Sequence, residues 1–168
     1  GGSVLVDAGK SLTISGSTTA GADGITLNLG SGTAGTNSLL LHGDAYSVHH
    51  DIEVLGGAAE DIAILTVGDG DGTTTLAGLT DLSHSSGGTV TLNLNNAVIS
   101  GALSDGAAAT TINVNVTGDS TISAAASLVN TNGLNLVTVT DAMTLTLAHD
   151  LTLGAAGNIV LGTGAAGG

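Results

Sequence analysis

The feature that most constrains this chain is an alternation. Aliphatic residues at every second position, separated mostly by small polar ones, recur as GITLNLG (24–30), DIEVLG (51–56), DIAILTVG (61–68), TVTLNLN (89–95), TINVNVTG (111–118), LNLVTVTD (134–141) and MTLTLAHDLTLG (143–154). Successive side chains on a strand point to opposite faces, so such a run buries one face and wets the other. A helix of period 3.6 cannot use it. Gly, Asn and Asp stand at the boundaries, where turns need their conformational freedom or their side-chain hydrogen bonds. Roughly fifteen such segments follow one another at about 8–15 residue spacing, which predicts an all-β chain built as a sandwich, barrel or solenoid. Helix signals amount to single turns, at the Ala-rich stretches 107–109 and 124–127.

Composition narrows the architecture. The 168 residues include no Phe, Trp, Pro or Cys, one Tyr (Tyr46) and one Met (Met143). Aromatics, which bury about 150–250 Å² each, are nearly absent, so the core must be a ladder of Val, Ile, Leu and Ala. Short strands stacked closely suit that inventory, and the expected fold is a β-solenoid, with a Greek-key β-sandwich as the alternative. SLTISG (11–16), STIS (120–123), MTLTLAH and LTLG read as diverged copies of one strand-turn unit. Their irregular spacing points to coils of unequal length, roughly 20 residues or more each, and away from a nonapeptide roll. No shift of composition divides the chain, which reads as one domain over 1–168 with soft points at 30–37, 83–88 and 103–109.

Charge sets the excluded functions. Fourteen acidic residues stand against one base, Lys10, for a net charge of −13. Phosphate neutralisation needs clusters of Lys and Arg, so nucleic acid and anionic lipid are excluded as partners. No run of about 18 apolar residues offers a membrane-spanning helix. Such acidity favours screening by divalent cations, and Ca²⁺ is the cofactor expected. The opening Gly1-Gly2-Ser3, without Met, reads as a processed form or a piece of a larger secreted protein.

Catalytic motifs have no foothold. Gly9-Lys10-Ser11 resembles the end of a phosphate loop, but the pattern requires Gly at position 4, where Val4 stands. There is no G-x-S-x-G elbow and no Cys, and Asp81-Leu82-Ser83-His84-Ser85 is the chance company of a hydroxyl-rich chain. Carboxylate pairs for sugar hydrolysis lack aromatic platforms, and developing negative charge would find almost no base to stabilise it. The chain reads as a non-enzyme. Metal ligation is the remaining chemistry. His49, Asp51 and Glu53 fall at i, i+2 and i+4, which on a strand puts all three on one face, either as a divalent site or as a plain solvated face. In Val67-Gly68-Asp69-Gly70-Asp71-Gly72-Thr73, Asp69 and Asp71 lie two apart among glycines; with Asp61 they form a candidate calcium set, and without further oxygens they form a tight turn.

Gly56-Gly57-Ala58-Ala59-Glu60-Asp61-Ile62-Ala63-Ile64 resembles the calcium-binding β-roll unit of the repeats-in-toxin family, with Ala59 in place of the third Gly. Phrases such as ITLNLGSGTAG, VTLNLNNAVISGAL and DLTLGAAGNIVLGTG resemble, in composition, bacterial surface-layer proteins and adhesin or autotransporter passengers. That resemblance implies an extracellular, cell-surface, calcium-ordered β architecture. An independent argument concerns edges. Soluble β proteins guard edge strands with Lys, Pro and inward charges, and here one Lys must serve every strand. The expected function is therefore a secreted structural protein that self-assembles into a filament or surface layer, a homopolymer. The alternative is an adhesin module presenting loops such as 30–38 and 83–88 to a cell-surface glycan.

Overall fold

The computed structural model describes residues 2–6, 11–15, 25–29, 36–42, 46–48, 52–56, 62–84, 88–105, 111–129 and 135–162. Its strands are short and run in coil order. A lead-in comprises β1 (Gly2–Val6), β2 (Ser11–Ser15) and β3 (Ile25–Leu29). Then come β4 (Thr36–His42), β5 (Tyr46–Val48) and β6 (Ile52–Gly56), followed by β7 (Ile62–Val67), β8 (Thr74–Leu76) and β9 (Thr80–His84). The next coils are β10 (Thr89–Leu94), β11 (Ala97–Ile99) and β12 (Leu103–Ser104), then β13 (Thr111–Val116), β14 (Ser120–Ile122) and β15 (Ala126–Leu128). β16 (Asn135–Val139), β17 (Leu145–Leu147), β18 (Leu151–Leu153) and β19 (Asn158–Leu161) are the last described strands.

Three sheets result. Sheet A has the order β1-β3-β6-β9-β12-β15-β18, sheet B β2-β4-β7-β10-β13-β16-β19, and sheet C β5-β8-β11-β14-β17. Each strand pairs in parallel with its counterpart one coil away, as β7 with β10 and β10 with β13. This is a β-solenoid. A Greek key needs antiparallel neighbours, and every described pairing is parallel, so the sandwich alternative falls.

Period two decides what is buried. β10 and β13 both alternate half-buried and buried residues, with Thr and Asn outward and Val, Ile and Leu inward. Register stacks the inward residues into columns: Leu39, Leu65, Leu92, Val114 and Val137 form one, and Leu41, Val67, Leu94, Val116 and Val139 the next. Sheets A and C add Leu82, Leu103, Leu128, Leu76, Ile99 and Ile122 to the same core. Side chains of this size fill a narrow tube without aromatics, each contributing about 1.5–3 kcal/mol when fully buried. Outside, an amide ladder climbs sheet B: Asn93 Nδ2 donates to Thr66 Oγ1 at 3.2 Å, and Asn115 Nδ2 to Asn93 Oδ1 at 3.0 Å.

Coil length varies at particular corners. Thr36, Ile62, Thr89 and Thr111 share a column, so successive rungs are 26, 27 and 22 residues apart, and Ile112 to Asn135 adds 23. From sheet C to sheet A the turn is always three residues: 77–79, 100–102, 123–125 and 148–150. Ladder hydrogen bonds run straight through it, as Ser100 N to Leu76 O, Ser123 N to Ile99 O and Ala148 N to Ile122 O. Coils touch there: a Cβ at Gly101 would lie 1.9 Å from the Gly78 carbonyl oxygen. From sheet B to sheet C the connection is instead 68–73, 95–96, 117–119 or 140–144. The soft points 30–37, 83–88 and 103–109 all fall about the connection from sheet A to sheet B.

Candidate functional site

The glycine-aspartate stretch forms the longest of the sheet B to sheet C corners from β7 onward. Gly68, Gly70 and Gly72 take φ of 83°, 95° and 76°, conformations that side chains resist. Gly68 stays in the ladder by donating its N–H to Leu41 O at 2.7 Å, and a Cβ there would meet Asn95 O at 1.9 Å. Beyond it the loop closes on itself and on the coil above. Asp71 N donates to Asp69 Oδ1 at 3.1 Å, an Asx turn, and Asn96 Nδ2 donates to Gly70 O at 2.8 Å. Asn96 itself has φ of 56°. The turn chemistry is thus complete without a metal, and both carboxylates are exposed.

Asp61, His49 and Asp51 lie outside the described residues. Asp69 lies beyond the far end of β7 from its start at Ile62, a run of six residues or about 20 Å. Glu53 stands on β6 in sheet A, registered with Asp81 of β9, away from the 68–73 corner. Among the described residues no group of three or more His, Cys, Asp or Glu is arranged to hold a metal ion. In the repeats-in-toxin resemblance, Gly56 ends β6 and Ile62 begins β7; the residues between them lie outside the described set. The coils of 22–27 residues are not nonapeptide half-turns. Other corners use single aspartates as rung-to-rung caps: Asp119 Oδ1 accepts Thr144 N at 2.8 Å, and Asp105 Oδ1 accepts Val129 N at 3.1 Å.

A second region went unnoticed at the level of individual residues. The inward column that is 0–1% exposed at Leu94, Val116 and Leu41 is 6% exposed at Val139 and 77% exposed at Leu161. The neighbouring column ends on Ile159 at 52%, and exposure in that of sheet C rises from 2% at Ile122 to 40% at Leu147. Met143 and Val160 are exposed beside them. Val139, Met143, Leu145, Leu147, Ile159 and Leu161 line a hollow of about 440 Å³ between β17 and β19. The hollow is the mouth of the core. Its rim consists of the outer edges of β17, β18 and β19, the last described strands of their sheets. No Lys, Arg or Pro lies in 135–162 to guard those edges, whose only titratable side chains are Asp141, His149 and Asp150.

Comparison with protein-family models, with curated proteins and with solved structures finds no match to the chain. Among the described residues no helix is long and apolar enough to cross a membrane.

Proposed function

We propose that the chain is a secreted bacterial structural subunit that self-assembles into an extracellular filament or surface layer. The observation that carries this reading is the apolar mouth at β17–β19: inward positions that are sealed on every described rung from β7 to β16 stand open on the last described one, bordered by strand edges without Lys, Arg or Pro. Another strand set laid against those edges gains ladder hydrogen bonds and apolar burial together. Composition supports the setting. The near absence of basic residues removes the usual protection against edge pairing, and the phrases of the chain resemble those of bacterial surface proteins. Calcium enters the reading at the 68–73 corner, where Asp69 and Asp71 supply carboxylates. An ion there needs further oxygens from beyond the described residues or from a neighbouring subunit.

Light scattering and negative-stain electron microscopy of the 168-residue chain across a concentration series, with Ca²⁺ and with a chelator, test the proposal. Concentration-dependent filaments or sheets are expected. Particles that stay monomeric in both buffers at every concentration would overturn it and turn attention to the adhesin alternative.

A further inference from the structure

The outer face of sheet B is a grid of hydrogen-bonding groups. β10 turns Thr89, Thr91 and Asn93 outward and β13 turns Thr111, Asn113 and Asn115 outward, while the residues between them are buried. Register sets the two rows side by side, Thr89 with Thr111, Thr91 with Asn113 and Asn93 with Asn115. The last pair is prolonged on both flanks, by Thr66 of β7 and Thr138 of β16. Ile62, Ile64 and Leu136 border the block, so from β7 to β16 the face presents hydroxyls, amides and methyl groups and no charge. In a chain of net charge −13 that neutrality is selective. The described carboxylates stand at corners, as Asp69, Asp71, Asp119 and Asp150, or on sheet A, as Glu53 and Asp81.

We propose that this face binds ice. Its groups recur about every 4.7–4.9 Å from strand to strand and about every 6.6 Å along each strand. These two repeats run at right angles, and they approach those of the oxygen rows on a prism face of hexagonal ice. The grid is also fixed before contact. Thr is stiff at χ1, and the bonds from Asn93 Nδ2 to Thr66 Oγ1 and from Asn115 Nδ2 to Asn93 Oδ1 tie the longer side chains into a row. Such order matters because a hydrogen bond exchanged with water nets only about 0.5–1.5 kcal/mol. A ligand that meets two or three of these groups would not be held, whereas one with the same period engages them together and orders nothing further in the protein. That points to a crystal, and charge selects which. An ionic mineral needs charged groups, and this face has none. A crystalline polysaccharide calls for aromatic platforms, and the single aromatic residue, Tyr46, lies on β5 in sheet C. An uncharged lattice of water complements an uncharged face whose hydroxyls and amides take the place of lattice waters. One subunit carries the whole grid, so the proposal does not depend on self-assembly.

The test uses the full chain in dilute buffer, with nanolitre osmometry and partition into slowly grown ice. A gap between the melting and freezing temperatures, faceted crystals and enrichment of the protein in the ice are expected. Thr91→Lys and Asn113→Lys, neighbours at the centre of the grid, should each abolish the gap and the enrichment. Ser127→Lys, at an exposed position of sheet A, should leave both unchanged. Circular dichroism checks that each variant folds, and either grid variant suffices if the other does not. A folded unsubstituted chain that gives no gap, no facets and no enrichment would overturn the proposal. So would a gap that survives both grid lysines, or one lost equally with Ser127→Lys. Retention on crystalline cellulose or calcium carbonate with none on ice would assign the face to another crystal and overturn it as well. Polymers seen by light scattering bear on the mouth alone, so either proposal can fail while the other stands.

Discussion

Leu94 and Leu161 are the same residue type in the same inward column of sheet B, three strands apart along β10, β13, β16 and β19. Leu94 is 0% exposed, with Val67 below and Val116 above it; Leu161 is 77% exposed, with Val139 on one side. One substitution at the two sites therefore separates core from interface. Leu94→Ala removes buried methylene surface and leaves a cavity that closely stacked coils cannot close, for a loss of about 2–5 kcal/mol. Leu161 retains about a quarter of the contact of a side chain worth about 1.5–3 kcal/mol, so Leu161→Ala should lower the stability of the dilute chain by less than about 1 kcal/mol. The assay is urea denaturation followed by circular dichroism at low and at high protein concentration. If subunits stack through the mouth, the unsubstituted chain gains stability with concentration by mass action, Leu94→Ala keeps that gain, and Leu161→Ala loses most of it. Equal losses at both positions in dilute solution would refute the reasoning, because Leu161 would then be covered within one molecule.

Further outcomes follow from the corners. Gly68→Ala forces a side chain into φ of 83° and onto Asn95 O, and should destabilise the fold by about 1–3 kcal/mol or more, measured by the same titration. Gly101→Ala, at ordinary φ but 1.9 Å from Gly78 O, should cost a similar amount, about 1–3 kcal/mol, through crowding alone. Asp69→Asn preserves an Asx acceptor and should change metal-free stability by less than about 0.5 kcal/mol. If calcium binds the corner, a calcium-dependent rise in melting temperature should be present in the unsubstituted chain and absent from this variant. Asp119→Ala removes the acceptor of Thr144 N and should lower stability by about 1 kcal/mol, with Asp119→Asn recovering most of it.

Strands were legible where alternation lasts five or six residues. TVTLNL and TINVNV place Val, Ile and Leu inward and Thr and Asn outward, as period two requires. Short strands were not. Leu103–Ser104 forms β12 inside a stretch that reads as a loop, because two residues carry no period. MTLTLAHDLTLG reads as one strand-like segment but supplies β17 to sheet C and β18 to sheet A, split by Ala148-His149-Asp150. Nothing marks that turn: Ser100-Gly101-Ala102 and Ser123-Ala124-Ala125 do the same work with different residues, since the ladder and not a turn motif holds the corner. Parallel direction was equally hidden, because alternation is the same for either. At the glycine-aspartate stretch the residues indicated a turn correctly, but its Asn96 contact comes from 26 residues away and no local pattern announces it.

The unequal corners divide the molecule into a side that tolerates insertion and a side that does not. Connections from sheet B to sheet C range from the two residues 95–96 to the six residues 68–73 while the rungs above and below keep their register. Connections from sheet C to sheet A admit no such variation, with Gly78 and Gly101 already in backbone contact. Foreign peptide grafted between Asp71 and Gly72 would thus leave the tube intact and project from one long edge. In any assembly of identical subunits it would recur once per subunit, so this edge is suited to displaying variable sequence at fixed intervals.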